Sequence, residues 1–473
     1  MNWKNIFKSF KNRDMQKRLL IVVGLIVAYR FLAHIPVPLA QPTELKQVLD
    51  NLLTNTDLGG FINLLSGGAL ASLSIVLVGL SPYITASVIT QLLTKAIPSL
   101  EELHKDGETG RRKIQQWTRL ITLPLAILQS IAFIFILRQT VLAGNTGVDI
   151  VAGTTPMEWM TMVSAMAAGS MLLMWLGELM TEQGVGNGMS LLIFAGIIAG
   201  FPSTFSTIIS SLTSVASESD KLHVFNWFTL PINWFALAVV SILAVAGLIA
   251  LYLIVKINEA QRVITINYAK RVQGNRAYGG VTSILPVKLI TAGVIPVIFA
   301  VAFLALPAFI GQLLKGATDA YWQQVGLNLT TWFQTPTAAT FASGEPTIFI
   351  YPAMYFLLVV GFTYFYTSIV FNANEIAENL QKQGGFISNI RPGQQTESYL
   401  SSIVNRLTLF GSLALGIIAI LPFATEYVLA QFGIQAQNLA IGGTGLLIVV
   451  SVTLETLRQI NSRALMVTYD QDY

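Results

Sequence analysis

The chain has 473 residues, 53% of them hydrophobic and 11% charged, with a mean hydropathy of +0.63. A typical soluble domain carries about 25% charged residues, so a water-soluble fold of this size is excluded and a polytopic membrane protein is expected. The absence of cysteine excludes a disulfide framework, thiol catalysis and cysteinyl metal sites. The three histidines, His34, His104 and His223, are too dispersed to form a metal-ligand motif, and no cofactor is expected.

A helix needs roughly 20 apolar residues to cross about 30 Å of hydrocarbon. Ten such stretches follow one another, near 19–38, 73–96, 117–138, 157–179, 188–212, 232–256, 288–312, 348–371, 406–425 and 440–460. The first follows a basic start, as a signal peptide would, but His34-Ile35-Pro36-Val37-Pro38 ends it without a small-residue cleavage site. It reads as a retained anchor. Residues 57–96 are too long for one crossing and break near Gly67-Gly68, leaving a piece at 58–71 that is too short to span. That piece is either an amphipathic surface turn or a re-entrant segment, which persists at membrane depth only inside protein or beside a cavity.

Five stretches precede and five follow an outer loop at 213–231, dividing the chain into an N-terminal half (1–212) and a C-terminal half (232–473). An odd number of spans per half gives halves of opposite orientation, the arrangement of inverted repeats around a central path. No strong residue-level repeat relates them. Orientation follows from Lys and Arg: 23 of the 28 fall at 4–18, 95–119, 256–288, 382–406 and 458–463, which places those segments and both termini in the cytoplasm.

Ion-coupled transporters carry acids or histidine at membrane depth. Here Glu158, Glu178, Glu426 and Glu455 sit at span edges, and the middles of most spans hold no ionisable residue. The chain has no GxxxxGK[ST] motif with which to use nucleotide. Gly184-Val185-Gly186-Asn187-Gly188 lies between two spans and reads as a tight cytoplasmic turn. What remains is a neutral conduit, powered by something that docks on it. The long basic loops 97–116 and 257–287, and a third at 372–405 with Arg391-Pro392-Gly393, offer the docking face. An Arg before a Pro-Gly turn presents a rigid bidentate donor, suited to acidic proteins or to RNA phosphates. Loop charges also serve simply as topology determinants and lipid-headgroup contacts.

Nine strings, in order, carry a resemblance over almost the whole chain: HIPVP at 34–38, GGAL at 67–70, GLSPYITAS at 79–87, GETGRRK at 107–113, WLGELMTEQGVGNGMS at 175–190, YAKR at 268–271, AGVIPVIFA at 292–300, GGFISNIRPG at 384–393 and GGTGLLIVV at 442–450. Together they resemble the SecY family of protein-conducting channels. The resemblance implies an all-α membrane protein: ten transmembrane helices in two inverted five-helix halves around an hourglass pore, with a re-entrant plug helix. It implies a passive, non-enzymatic conduit for secretory polypeptides, with a lateral gate for membrane helices, in a bacterial plasma membrane.

By motif position, the resemblance puts a ring of Leu80, Ile84, Met189, Ile193, Ile298 and Ile448 at the pore waist. Leu80 and Met189 depart from an isoleucine-rich pattern. The plug corresponds to Phe61, Ile62, Asn63, Leu64, Leu65, Ser66, Gly67 and Gly68. Gln91 and Gln129 match polar gate positions, though interhelical hydrogen-bonded glue reads equally well. Arg262, Lys270, Arg271, Arg276 and Arg391 match docking positions for the SecA motor ATPase and the ribosome. Further implied partners are SecE-like and SecG-like small membrane subunits, signal-sequence-bearing polypeptides and membrane lipids. A ten-span secondary transporter of a small neutral solute is the alternative that the physics alone leaves open; the ordered strings and long basic loops weigh against it.

At the start of the seventh span this chain has Ile290 where many relatives have Asn, implying a less polar gate. Ile290→Asn is expected to change the signal-sequence hydrophobicity needed for export. Comparing weak and strong signal sequences in the two proteins checks this, and identical stringency refutes it.

Overall fold

A computed structural model describes residues 13–37, 74–143, 155–213, 221–224, 228–268, 271–273, 276–278, 282–317, 319–333, 335–336, 338–431 and 443–471. The first part of the chain contributes α1 (Arg13–Leu32), α2 (Ser81–Ala96), α3 (Pro98–Lys105), α4 (Gly107–Ala143), α5 (Pro156–Glu182) and α6 (Gly188–Thr213). After the hairpin β1 (Lys221–Val224) and β2 (Phe228–Asn233) come α7 (Trp234–Glu259), β3 (Gln261–Tyr268), β4 (Arg271–Gln273), β5 (Arg276–Tyr278) and β6 (Thr282–Lys288). The rest is α8 (Ile295–Leu314), α9 (Ala320–Phe333), α10 (Ala338–Ala342), a 3₁₀ turn (Pro346–Phe349), α11 (Ile350–Val370), α12 (Ala373–Lys382), β7 (Gly385–Ile387), α13 (Gln394–Gln431) and α14 (Gly443–Gln471).

Each of the ten apolar stretches contains a helix, and six helices among the described residues are long and apolar enough to cross a membrane. Their outward faces suit lipid: on α7, Ile242 is 69% and Leu248 67% exposed, which no aqueous surface would favour. The expected boundaries shift where local chemistry overrides apolar count. The second helix begins at Ser81 rather than 73, because Gly79 adopts φ +62° and Pro82 occupies the first turn, where its missing N–H costs nothing. At 16 residues α2 is about 24 Å long, shorter than the hydrocarbon core. Helix α5 starts where expected: Thr155 accepts from the Glu158 N–H, and Glu158 Oε2 accepts from the Thr155 N–H at 2.9 Å. This capping box gives the edge acid Glu158 a structural role.

The same backbone device opens α8. Gly293 has φ +64°, Val294 is an αR N-cap without side-chain bonds, and Pro296 follows in the first turn. Gly79-Leu80-Ser81-Pro82 and Gly293-Val294-Ile295-Pro296 are thus one G-x-x-P turn used twice, at the second apolar helix of each half. Leu80 accepts from Ile84 N–H, and Val294 from Ile298 N–H, at 3.0 and 3.3 Å.

Packing runs in order through each half. Helix α1 lies on α5, α2 on α4, α4 on α5 and α5 on α6; in the second half α8 lies on α11, α11 on α13 and α7 on α14. The halves meet where α8 packs on α2 and α4, and again where α6 packs on α14 and α7. A single buried apolar cluster links the two, including Leu80, Ile84, Ile193, Ile298 and Ile448. The α5–α6 turn is as tight as expected: Asn187 Oδ1 accepts from the Met189 and Ser190 N–H groups at 3.1 and 3.3 Å, capping α6. Gly188 sits directly against the Gly177 carbonyl, leaving no room for a Cβ. From α1, Arg18 Nη1 donates to the Gln183 carbonyl at 3.1 Å, and the Arg463 guanidinium of α14 covers Gly184.

The expectation of an all-α chain is corrected to a mostly helical one. Strands β6-β3-β7 form an antiparallel sheet that pairs Ile266 with Ser283 on one side and Ile387 on the other. The sequence Val263-Ile264-Thr265-Ile266 alternates β-branched residues, a strand pattern that a search for membrane-length runs passes over. Ile264, Val287 and Ile387 bury one sheet face against Leu400, Ile403 and Val404 of α13. Strands β3 and β6 of the loop 257–287 therefore pack with β7 and the start of α13 from the loop 372–405 as one body. The remaining long loop, 97–116, is mostly α3 and the start of α4. Residues 313–347, for which no element was expected, include α9, which packs on α8 through Gly311 and Gly326.

Gly188→Ala is expected to destabilise the fold by about 1–3 kcal/mol through backbone overpacking. Gly247→Ala, which meets open space on α7, should be neutral or stabilising by under about 1 kcal/mol. Thermal unfolding in one detergent checks both; equal midpoints for Gly188→Ala and the unmodified chain would refute the close contact.

Candidate functional site

A cavity of about 390 Å³ lies between the halves, walled by α2, α4, α5 and α6 on one side and by α8 and α11 on the other. Four of the six expected ring residues line it: Ile84 from α2, Met189 and Ile193 from α6, and Ile298 from α8. The tight α5–α6 turn sets the start of α6, so Met189 falls one residue past Gly188, with its sulfur over Gly177. Leu80 and Ile448 are buried in the same apolar cluster but do not line the cavity. The rest of the apolar wall is Ile295 and Phe299, and Phe299 packs edge-on against Phe362 and Tyr366 of α11.

The opposite wall is polar. Arg119 Nε pairs with Glu178 Oε1 at 2.8 Å, and Gln115 Nε2 donates to the same oxygen at 3.2 Å. The Glu178 side chain is 9% exposed and that of Arg119 45%. A carboxylate this deep persists because charge-assisted hydrogen bonds replace its hydration. Sequence reading placed Glu178 at a span edge and gave it no partner. The available signal was Arg119, a cation just inside the third apolar stretch that needs a counter-charge on a neighbouring helix.

The expected gate residues separate. Gln91 lines the cavity, its Nε2 donating to Ser87 Oγ at 3.1 Å while its Oε1 is buried without a partner. Gln129 is buried in α4, away from the cavity. Ile290 is buried ahead of α8, beside Gly411 of α13. Of the docking residues, Arg262 is exposed on β3 and Arg391 is exposed at the tip between β7 and α13. The Arg391 backbone is pinned: its N–H donates to Gln395 Oε1 at 3.4 Å and its carbonyl accepts from Thr396 Oγ1 at 2.9 Å. Arg271 and Arg276 fall on the hairpin β4–β5, paired with Tyr278 and Gln273. Lys270 lies outside the described residues, as do Phe61, Ile62, Asn63, Leu64, Leu65, Ser66, Gly67 and Gly68. The segment holding those eight leaves and rejoins the described fold at one point, where Pro36 bridges Ser74 and the Ile75 N–H donates to the Ile35 carbonyl at 3.0 Å. Gly169 of α5 lies directly against the Ile75 carbonyl.

Comparison with known proteins places this architecture. The family model SecY matches residues 74–457. The protein translocase subunit SecY of Streptomyces scabiei is 41% identical over 465 residues, covering 98% of each chain. Its counterpart in Corynebacterium glutamicum is 38% identical at the same coverage. Among solved structures, "The structure of a protein conducting channel" superposes with a TM-score of 0.60 at 19% identity, over 94% of this chain and 91% of that one. "Sec61 in the Canine ribosome-channel complex from the endoplasmic reticulum" gives 0.55 at 18% identity over the same shares. The chain belongs to the SecY family of protein translocase channel subunits, membrane proteins that conduct polypeptides and perform no chemistry of their own.

Proposed function

We propose that the chain is the pore-forming subunit of a bacterial plasma-membrane translocon, with ten spans in two inverted halves and both termini cytoplasmic. One observation carries the reading: aliphatic side chains from α2, α6 and α8, elements of both halves, converge on the floor of a single cavity at Ile84, Met189, Ile193 and Ile298. An apolar constriction excludes ions by dewetting, yet aliphatic side chains offer a passing chain no bonds that must be broken. Met189 is the most adaptable of the set. Leu80 and Ile448 extend the seal from the same buried cluster.

The contact between α2 and α8 is the lateral gate, with Gln91 its polar element. Residues 61–68 form the plug, tethered at the Pro36–Ser74 bridge. The sheet body with Arg262 and Arg391, together with the hairpin of Arg271 and Arg276, receives a SecA-type motor or a ribosome, and Lys270 belongs to the same face. SecE-like and SecG-like subunits hold the lipid-facing surface of the two halves. The repeated G-x-x-P turn at Gly79 and Gly293 supports the inverted repeat.

Ion conductance in planar bilayers tests the reading. The intact channel is expected to be quiet and a variant lacking residues 60–70 leaky. Equal silence from both, with folding verified, would refute a plugged pore.

A further inference from the structure

We propose that Glu455 and Arg458 of α14 are positioning residues that couple the docking sheet to the gate helix α8. The inference rests on the docking and gate readings above.

The two long strands of the sheet have their roots side by side. Strand β3 leaves α7 through Ala260, whose carbonyl accepts from the Leu289 N–H at 2.9 Å, just past the end of β6. Helix α14 grips both roots. Arg458 Nη2 donates to the Asn258 carbonyl at 2.8 Å, and buried Asn258 donates through Nδ2 to Ser451 Oγ at 3.1 Å. On the other root, Lys288 ends β6, and its ammonium and the Arg458 guanidinium act on the Glu455 carboxylate through space, without a contact ion pair. Glu455 and Arg458 are three apart and share one face of α14.

The same carboxylate reaches the gate. A Cβ on Gly293 would lie 3.9 Å from Glu455 Oε2, with nothing else within 4 Å. Gly293 is the left-handed residue that opens α8, and that helix has no side-chain cap of its own. A carboxylate near a helix N-terminus is favoured by the helix dipole, so Glu455 steadies the start of α8. Just upstream, the Leu289 carbonyl is pressed against Gly411 of α13, which leaves the segment from Lys288 to Gly293 little freedom except as a unit. Force on the sheet displaces Lys288 relative to Glu455, and Glu455 passes that displacement to Gly293 and α8. Neither residue lines the cavity or sits on the exposed docking tip. Their charges serve the junction.

The channel contains no cysteine, so a spin-label pair at Ile89→Cys, exposed on α2 and outside the cavity lining, and Ala302→Cys on α8 reads the α2–α8 distance directly. In proteoliposomes, Glu455→Gln and Arg458→Gln are expected to bind a SecA-type motor within about twofold of the unmodified channel. Motor-driven translocation should fall about fivefold or more, and the label distance should no longer change on docking. Glu455→Asp and Arg458→Lys should recover part of the rate. Ser451→Ala, which removes one neutral bond from the junction, serves where a charge variant does not accumulate. Normal translocation with a normal distance change, or parallel losses of docking and translocation, would overturn the coupling. Arg391→Glu separates the two levels: if it docks as tightly as the unmodified channel, the docking reading falls and the coupling with it. If Arg391→Glu loses docking while Glu455→Gln translocates normally, the coupling alone falls.

Discussion

Two helices that begin at left-handed glycines organise this channel. A residue at φ near +60° costs an L-amino acid roughly 1–2 kcal/mol, and only glycine adopts it freely. Gly79 and Gly293 stop the incoming chain, and Pro82 and Pro296 start α2 and α8 in a fixed direction. Ile84 and Ile298 follow one turn into each helix and meet at one cavity. Because the helices come from opposite halves, the cavity floor exists only where the halves touch. A straight, uninterrupted helix from residue 73 would carry Leu80 and Ile84 elsewhere.

The cavity keeps an apolar and a polar wall, and the polar one carries Glu182 beside the paired Arg119 and Glu178. The Arg119–Glu178 pair, with Gln115 on the same oxygen, satisfies a carboxylate that would be costly alone. The wall of Ile295, Ile298 and Phe299 offers only dispersion and hydrophobic contacts, which are non-directional.

Much of the fold was legible in the sequence because membranes impose a simple code. Apolar length located a helix in each of ten stretches, and Gly184–Gly188 read correctly as a turn. The misses share a physical cause. Helix α2 starts late because turn chemistry at Gly79 and Pro82 outranks apolar count. Strands β3 and β6 went unseen because a search for membrane-length runs passes over their short β-branched pattern, and the third strand, β7, lies more than one hundred residues from β3: Asn267 donates to Ser388 across a separation of 121 positions. The Arg119–Glu178 pair joins helices 59 positions apart in sequence, and no local pattern announces such a partner. Of the site itself, motif position gave Ile84, Met189, Ile193 and Ile298, whereas the cavity's polar wall appeared only in three dimensions.

The order of strands β6-β3-β7 has a consequence for biogenesis. The first two strands are synthesised together, but their edge is closed by Gly385–Ile387 and their face by Leu400, Ile403 and Val404. Both arrive only after α8 and α11 have been made. Until then β3 carries an open edge, and the sheet's apolar face has no cover. A growing chain therefore has no closed sheet until α8 and α11 have been made. Closure of the sheet reports that those two helices exist, while α14, which later holds the Asn258 end of its root, is still to be synthesised.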